Sequence, residues 1–588
     1  MFTTRPEIVG TFGVVTSTHW LATAAGMSML EKGGNAFDAA VATGISLNVL
    51  EPDQNGPGGD VPIIVYSAEA DEVKVICGQG TAPAAASVDG YRAMGLEVIP
   101  GRGHLPAVVP GSFGAWMLML SEYGSLPLRD VLEPAMGYAR DGIPVLPRIH
   151  DTIAANADFF KTEWPTSAKQ WLPGGEAPAV RSQYPMPDLV ATYERLLAEA
   201  EAAGGSRENQ IKGARKAWYE GFVAEAIDDF LRTTPVMDES GERHTGLLTG
   251  QDMASWRATI EDPVTYDYLN YTVCKAGPWC QGPVFLQQLA LLKGFDLTAM
   301  GPESPDFVHT VIECAKLAFA DREAFYGDPD FVDVPFDVLL SDEYNDLRRE
   351  LVGGTASHEL RPGSVQGYGG KVFFRPQGTV EKAGIPATAA AGAVGGDTCH
   401  FDVIDRHGNM VAATPSGGWL DGSPTVPGLG LCVSARGQMF WLDDDTAASL
   451  EPGKRPRTTL TPSMALRDGK PYMAFGTPGG DMQDTWSLHA FLRHVHFGMN
   501  LQEAIESPQF HTEHMPNSFY PRESKAGHLA LEGRFSDETI AELESRGHNI
   551  DMRGDWTISY VTAATQDDDG VLRAGASPRN MQCYAAGR

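Results

Sequence analysis

GGDTCHFDVIDRHGNMVAATPS, residues 395–416, is the stretch on which the reading of this 588-residue chain turns. His400 to Ile404 and Met410 to Thr414 are short β-prone runs, and Asp405-Arg406-His407-Gly408-Asn409 between them has the composition of a hairpin turn that needs positive φ. Upstream, Lys382 to Gly396 reads KAGIPATAAAGAVGG, whose side chains are too small to bury a core, as expected of a mobile linker. A flexible arm is thus expected to end at Thr398, on the first residue of a buried strand. If the Asp397–Thr398 bond is cut, Thr398 carries a hydroxyl nucleophile and a free α-amine whose reference pKa, about 8, suits it to take the hydroxyl proton. One residue then supplies nucleophile and base. Spacing alone is equally satisfied by an ordinary hairpin after a loop.

Further along, Tyr472 to Phe475 reads as a strand and Met482 to Phe497 as an amphipathic helix, joined by Gly476-Thr477-Pro478-Gly479-Gly480-Asp481. Consecutive glycines there expose backbone N–H groups at the positive end of the helix, where they can stabilise a developing oxyanion. Such a turn is weak by itself. Its order after a candidate nucleophile and after Lys454-Arg455-Pro456-Arg457-Thr458-Thr459 gives it weight.

These motifs together resemble the γ-glutamyltransferase family, whose precursors cleave themselves before a threonine that opens T-x-H-[FY]-x-V-[VI]-D-x-x-G-N. Thr398, His400, Phe401, Val403, Ile404, Asp405, Gly408 and Asn409 fill that pattern. The segment MLEKGGNAFDAAVATGISLNVLEPDQNGPGGD is similar to the family's helices and glycine-rich loop, and the likeness runs from about Pro6 to Arg579. The resemblance implies a four-layer αββα sandwich of the N-terminal-nucleophile hydrolase type. It implies a large subunit, 1–397, ending in a flexible linker, 353–397, and a small subunit, 398–588, opened by the threonine. The two self-cleaved subunits stay associated as one composite globular domain, and a dimer of such heterodimers is an assembly it allows. By the same resemblance Thr398 is the nucleophile, Ser416 the second hydroxyl that hydrogen-bonds it, Gly479 and Gly480 the oxyanion donors, and Thr458 and Thr459 the hydroxyls that help hold the donor's carboxylate. No cofactor and no metal is implied.

Two departures bear on the substrate. Where transpeptidase members keep an arginine for the glutamyl α-carboxylate, this chain has Val88, and the acidic segment that holds the α-amine is replaced by Ser434 to Phe440, including Met439. Losing a bidentate guanidinium costs specificity that hydroxyls do not restore. Arg436 and Arg457 are the candidate substitutes. The expected activity is therefore hydrolysis of a small carboxylate-bearing amide through an acyl-threonine. A true γ-glutamyltransferase or glutathione hydrolase, a β-lactam side-chain acylase and an unprocessed, non-catalytic binding homologue are the alternatives. Cys399 has the better intrinsic nucleophile, but neighbouring strand residues face opposite sides and the family register selects Thr398.

The whole chain sets the bounds. Forty-five basic against 76 acidic residues give a net charge of −31, which repels nucleic acid and anionic membranes. No charged start precedes an apolar run and no stretch approaches the ~20 apolar residues of a membrane span, so a cytoplasmic protein is expected. Seven scattered cysteines, none in a C-x-x-C pair, suit reduced thiols. Apolar patterning predicts a strand at Gly13 to Ser17, helices at Leu21 to Glu31 and Ala36 to Leu50, and strands at Val61 to Ser67 and Val73 to Cys77. The glycine-rich loop Asn55 to Asp60 precedes a strand, unlike a phosphate cradle. Helices follow at Ser112 to Glu122, Leu128 to Asp141, Asp188 to Glu201, Arg215 to Leu231, Pro283 to Leu292 and Asp306 to Phe325, with Pro165 to Pro187 and Gly204 to Gly213 as surface insertions. Asp262 to Cys274 reads as a strand pair, and the tail as strands Ile558 to Thr562 and Val571 to Ala574. β-rich halves around a helical middle imply a layered α+β fold. His494-x-His496 lacks the i, i+4 spacing of helical metal ligands and reads as packing.

Overall fold

The computed structural model describes residues 2–378, 398–579 and 581–588; of the linker, 379–397 lie outside the described residues. Two seven-stranded sheets form its centre. In order, the first holds Tyr584–Gly587, Gly13–Ser17, Phe401–Asp405, Met410–Ala413, Val61–Ser67, Glu72–Gly78 and Thr259–Glu261, every neighbour antiparallel. The second holds Ile8–Gly10, Leu572–Ala576, Thr562–Gln566, Lys470–Gly476, Ser463–Arg467, Tyr271–Lys275 and Val264–Tyr268, also antiparallel throughout.

Strand alternation decides which side chains go where. Val14, Ile404, Met410, Ile64 and Val75 meet Met464, Ala564, Leu572, Ala574 and Cys274 in a core between the sheets. Their neighbours Val15, Val403, Val411, Ile63, Val65 and Ile76 point the other way, into a core shared with Trp20–Glu31, Ala36–Leu50 and Ser112–Tyr123. Both faces of such strands are buried, which is why Val61–Ser67 is an almost unbroken apolar run. On the far side of the second sheet, Val273, Ala465, Met473 and Phe475 pack beneath Pro283–Leu292, Pro305–Phe325 and Gln483–Phe497. The layers are helix, sheet, sheet, helix: the αββα sandwich that the resemblance implied.

Local chemistry positions these layers. Asn35 caps Ala36–Leu50 with a capping box, its Oδ1 accepting from Phe37 and Asp38 while Asp38 accepts from the Asn35 N–H. The Ala36 N–H also donates to Asp405 Oδ2, which ties the helix start to the hairpin turn. At Gly44 a Cβ would lie 2.6 Å from the Trp116 ring, so only glycine allows that approach.

Segments from before and after residue 398 are paired within both sheets. Gly13–Ser17 lies between Tyr584–Gly587 and Phe401–Asp405, and Met410–Ala413 pairs with Val61–Ser67. In the second sheet Tyr271–Lys275 pairs with Ser463–Arg467, and Ile8–Gly10 with Leu572–Ala576.

Several expectations need correction. Pro165 to Pro187 opens with a helix, Pro165–Trp171, whose Trp171 is buried and donates to Thr425 Oγ1, so this opening part is core, while residues 173–183 are mostly exposed. Gly204 to Gly213 runs into the helix Arg207–Tyr219. The expected helix over Arg215 to Leu231 is two, Arg207–Tyr219 and Phe222–Thr233, because Gly221 is non-helical (φ −125°, ψ −146°). The strand expected at Ile558 starts at Thr562. Pro147–Glu163 is a 17-residue helix that apolar patterning did not single out. Residues 353–378 hydrogen-bond to several elements: Ala356 to the Arg546 carbonyl, Gly363 to Asp321 and Gly370 to the Ala324 carbonyl.

Candidate active site

Thr398 and Ser416 face each other across an antiparallel bridge, and Thr398 Oγ1 donates to Ser416 Oγ at 3.2 Å. Both are buried. Ser416 exchanges two backbone hydrogen bonds with Asp60, at 2.8 and 3.0 Å, while the Cys399 N–H donates to the Pro415 carbonyl. The Ser416 segment is thus held on both sides, by Thr398 and Cys399 on one and by Asp60 on the other.

Cys399 has a different environment. Its Sγ donates to Glu51 Oε2 at 3.0 Å and accepts from Asn55 Nδ2 at 2.9 Å. Burial, with Glu51 beside it, pushes this thiol well above its ordinary pKa, so it stays protonated. Burial likewise pushes Glu51 up to about 7. His400 is locked between Thr414 Oγ1 at 2.8 Å and Asp402 Oδ1 at 2.9 Å, and Asp402 Oδ2 accepts from Thr16 and Thr562. Asp402 therefore joins the two sheets, through Thr16 of the first and Thr562 of the second, and holds the motif histidine.

The strand Lys470–Gly476 ends over the His400 ring, and the chain continues into Thr477-Pro478-Gly479-Gly480. Gly479 (φ 131°) and Gly480 (φ 53°) both lie at positive φ, where a side chain is strained. A Cβ on Gly479 would also run into the Trp486 ring. Neither glycine's N–H has an acceptor among the described residues. Both sit at the entry to a short 3₁₀ turn, Gly480–Met482, and the helix Gln483–Phe497.

The substrate-binding candidates separate into two groups. Thr458 pairs with Cys280 in a bridge, and its Oγ1 accepts from the Leu460 N–H; Thr459 Oγ1 is buried with no partner. Arg436 is fully buried, its Nε donating to Asp60 Oδ2 at 2.8 Å beside Ser434, and its Nη2 has no partner. Its guanidinium lies 5.1 Å from the Trp419 ring and 5.9 Å from Phe519, which with Met439 and Ala435 form a small apolar cluster. Arg457 is already committed: Nη1 donates to the Arg322 carbonyl and Nη2 to Glu323 Oε1 at 2.6 Å. Val88 packs with Tyr91, Leu105, Phe440 and Leu442 in an apolar cluster.

Contacts connect these residues into one neighbourhood. Thr398 touches Ser416, Ser416 pairs with Asp60, Asp60 holds Arg436, and Arg436 lies near Phe519. Phe519 in turn borders Gly480, where a Cβ would meet its ring at 3.1 Å. Sequence reasoning missed Asp60 and Asp402; an acidic residue opening a buried strand, and one alternating with the motif histidine, were the available signals. His494 and His496 hydrogen-bond Tyr472 and Tyr268, as packing residues do. Two other groups bring histidine and carboxylate together, but Glu313 beside His309 and His548 already holds Lys316 and Arg361. In the second, His528 Nδ1 accepts from the Glu513 N–H, which puts the proton of the neutral ring on the nitrogen facing Asp551.

The family model for gamma-glutamyltranspeptidase matches residues 22–587. A glutathione hydrolase-like YwrD proenzyme of Bacillus subtilis is 33% identical over 577 residues, 97% of this chain and 98% of that protein. An oxamate amidohydrolase proenzyme of Klebsiella pneumoniae is 29% identical over 584 residues, 97% and 98% of the two chains, and acylase proenzymes of Pseudomonas match over a similar span. A solved structure of LmbA2991HD is 51% identical with a TM-score of 0.93, covering 100% of both chains. The chain belongs to the gamma-glutamyltranspeptidase family and is an enzyme of its autoprocessing N-terminal-nucleophile hydrolase type.

Proposed function

We propose that this member of the gamma-glutamyltranspeptidase family is an amidohydrolase that cuts itself between Asp397 and Thr398 and then hydrolyses a small amide bearing a carboxylate on its acyl half. Thr398 Oγ1 attacks the amide carbonyl, and the α-amine of Thr398 takes the hydroxyl proton. The N–H groups of Gly479 and Gly480 receive the oxyanion, and Ser416 orients the attacking oxygen. Collapse of the tetrahedral adduct breaks the C–N bond, the proton passes to the leaving nitrogen, and the acyl group stays on Thr398 as an ester. Water, deprotonated by the same amine, then releases the acid and restores the hydroxyl.

The observation that carries this reading is the buried Thr398 hydroxyl, 3.2 Å from Ser416, in the neighbourhood of two glycine N–H groups without acceptors. For the substrate half, Thr458, Thr459 and Arg436 are the binding residues; the unpartnered Thr459 Oγ1 and Arg436 Nη2 support this, and the engaged nitrogens of Arg457 argue against it. An amide of a small acid suits the loss of the guanidinium at Val88. A relative named as an oxamate amidohydrolase supports that class.

Denaturing electrophoresis with N-terminal sequencing tests the first step. Fragments of 397 and 191 residues are expected, the smaller beginning at Thr398, from a chain of 588. A start at Cys399, or a chain that stays intact under every condition giving turnover, would remove Thr398 from its role.

A further inference from the structure

Arg522 lies in the turn that follows Phe519, its N–H donating to the Phe519 carbonyl at 2.7 Å. That turn is pinned to the glycine loop: Ser518 donates through N and Oγ to Asp481, at 2.7 Å each. The guanidinium stacks 3.7 Å from the centroid of Trp441, and Nη1 donates to the Met439 and Phe440 carbonyls at 2.5 and 3.0 Å. Nε and Nη2 are buried and have no partner among the described residues. These two nitrogens form the edge of a guanidinium that takes a carboxylate through two parallel bonds.

The charge around this edge is also unbalanced. Glu323 is bonded through Oε1 by Arg322 and Arg457, its Oε2 having no partner among the described residues, and Asp481 is bonded by Arg322, so three guanidinium groups, with Arg522, share two carboxylates. Among the described residues Arg522 has no carboxylate within ion-pair distance. Leaving a buried cation with two unmet donors is costly, and an anionic group in reach of them relieves that cost. Arg436, which opens the 3₁₀ turn Arg436–Met439, leaves one further donor, Nη2, unmet among the described residues.

We infer that the Nε/Nη2 edge of Arg522 receives the terminal carboxylate of the acyl half, making Arg522 the specificity-determining residue that replaces the family guanidinium absent at Val88. The substrate class is then an amide of a dicarboxylic acid, attacked at one carbonyl and held by the other end. The inference rests on the acyl-threonine reading above.

The test uses processed enzyme and succinyl, glutaryl and adipoyl anilides, each paired with its methyl ester. Wild type is expected to prefer the best free acid over its ester on the order of 100-fold in kcat/KM. Arg522→Met should bring that ratio close to one, and Arg522→Lys should restore part of it. Equal losses on acid and ester in Arg522→Met would show that the residue only supports the Gln438–Phe440 turn, and would overturn the inference. If that variant fails to fold, inhibition of wild type by the free dicarboxylates against their monomethyl esters decides, with no preference for the free acid overturning it. Equal turnover of acid and ester by wild type defeats this inference alone. Absence of both turnover and a Thr398 terminus defeats the parent reading as well.

Discussion

Gly476 lies against the imidazole of His400: a Cβ on residue 476 would come within 2.7 Å of Nε2 and 2.8 Å of Nδ1. The ring has no room to yield, since Thr414 and Asp402 hold both its nitrogens. Gly476→Ala is expected to destabilise the protein by roughly 1–3 kcal/mol through overpacking and to disturb the strand two residues after the nucleophile. Thermal unfolding and turnover of the variant check this. Gly137→Ala is the control, because nothing lies within 4 Å of that helical position, and it should stabilise by about 0.5–1 kcal/mol.

On the proposed reading the Thr398 hydroxyl is the attacking oxygen of both self-cleavage and hydrolysis. Thr398→Ala should remain a single chain on denaturing gels and show no turnover. Ser416→Ala leaves the nucleophile in place without its 3.2 Å partner, so kcat should fall, on the order of 10- to 100-fold, with KM little changed. Equal kcat in Ser416→Ala and wild type would exclude the positioning role.

At Gly479 a substitution meets two obstacles, the positive φ and the Trp486 ring. Gly480→Ala is the milder change, with Phe519 3.1 Å from the new Cβ. Moving an oxyanion donor by a few tenths of an ångström should cost kcat far more than KM, up to about 100-fold. Steady-state kinetics of Gly480→Ala on any accepted anilide measures the split.

Glu51 has a pH signature. Its pKa is about 7 in the fold, because burial opposes the charge, against an ordinary 4.5. The folded state therefore binds a proton that the unfolded state has lost between those values. The stabilising contribution is complete below pH 4.5 and is lost as pH rises through 7, with a slope approaching about 1.4 kcal/mol per unit. Glu51→Gln cannot ionise, so its stability relative to wild type should climb from pH 5 to 7 and level off above. Chemical denaturation of both proteins, each in a Thr398→Ala background to keep one chain, shows whether that difference moves.

Val88 sits in the apolar cluster of Tyr91, Leu105, Phe440 and Leu442, and its own side chain offers no donor to an α-carboxylate. Glutathione and γ-glutamyl anilide should accordingly be poor substrates, and transfer to dipeptide acceptors weaker still. A wide margin in kcat/KM for γ-glutamyl compounds over plain dicarboxylic amides would reverse this.

What could be read from the chain follows from how local each signal is. The hairpin from Phe401 to Ala413 and the Asn35 cap are set by neighbours in sequence, and both stand where the residues predict. Ser416 beside Thr398 was reached through a motif, eighteen residues apart. The pairing of Arg436 with Asp60 spans 376 residues, and no spacing rule reaches it. Arg522 was invisible for a similar reason: a lone arginine after Tyr520-Pro521 reads as surface, and only the packed Trp441 and the carbonyls of 439 and 440 show it to be buried. The break at Gly221 was missed because Tyr219, Val223, Ile227 and Leu231 keep an i, i+4 period straight through it.

Because strands from both sides of residue 398 are paired in each sheet, the proposed cut before Thr398 would act as a ratchet. The intact chain assembles its sheets in a first-order process. After the cut the same pairings require two molecules to meet, and neither piece alone can satisfy Gly13–Ser17, whose two edges both belong to the other piece. The mature enzyme is then a structure that only its precursor can build readily, and what heat or denaturant takes apart returns by a second-order route that slows with dilution.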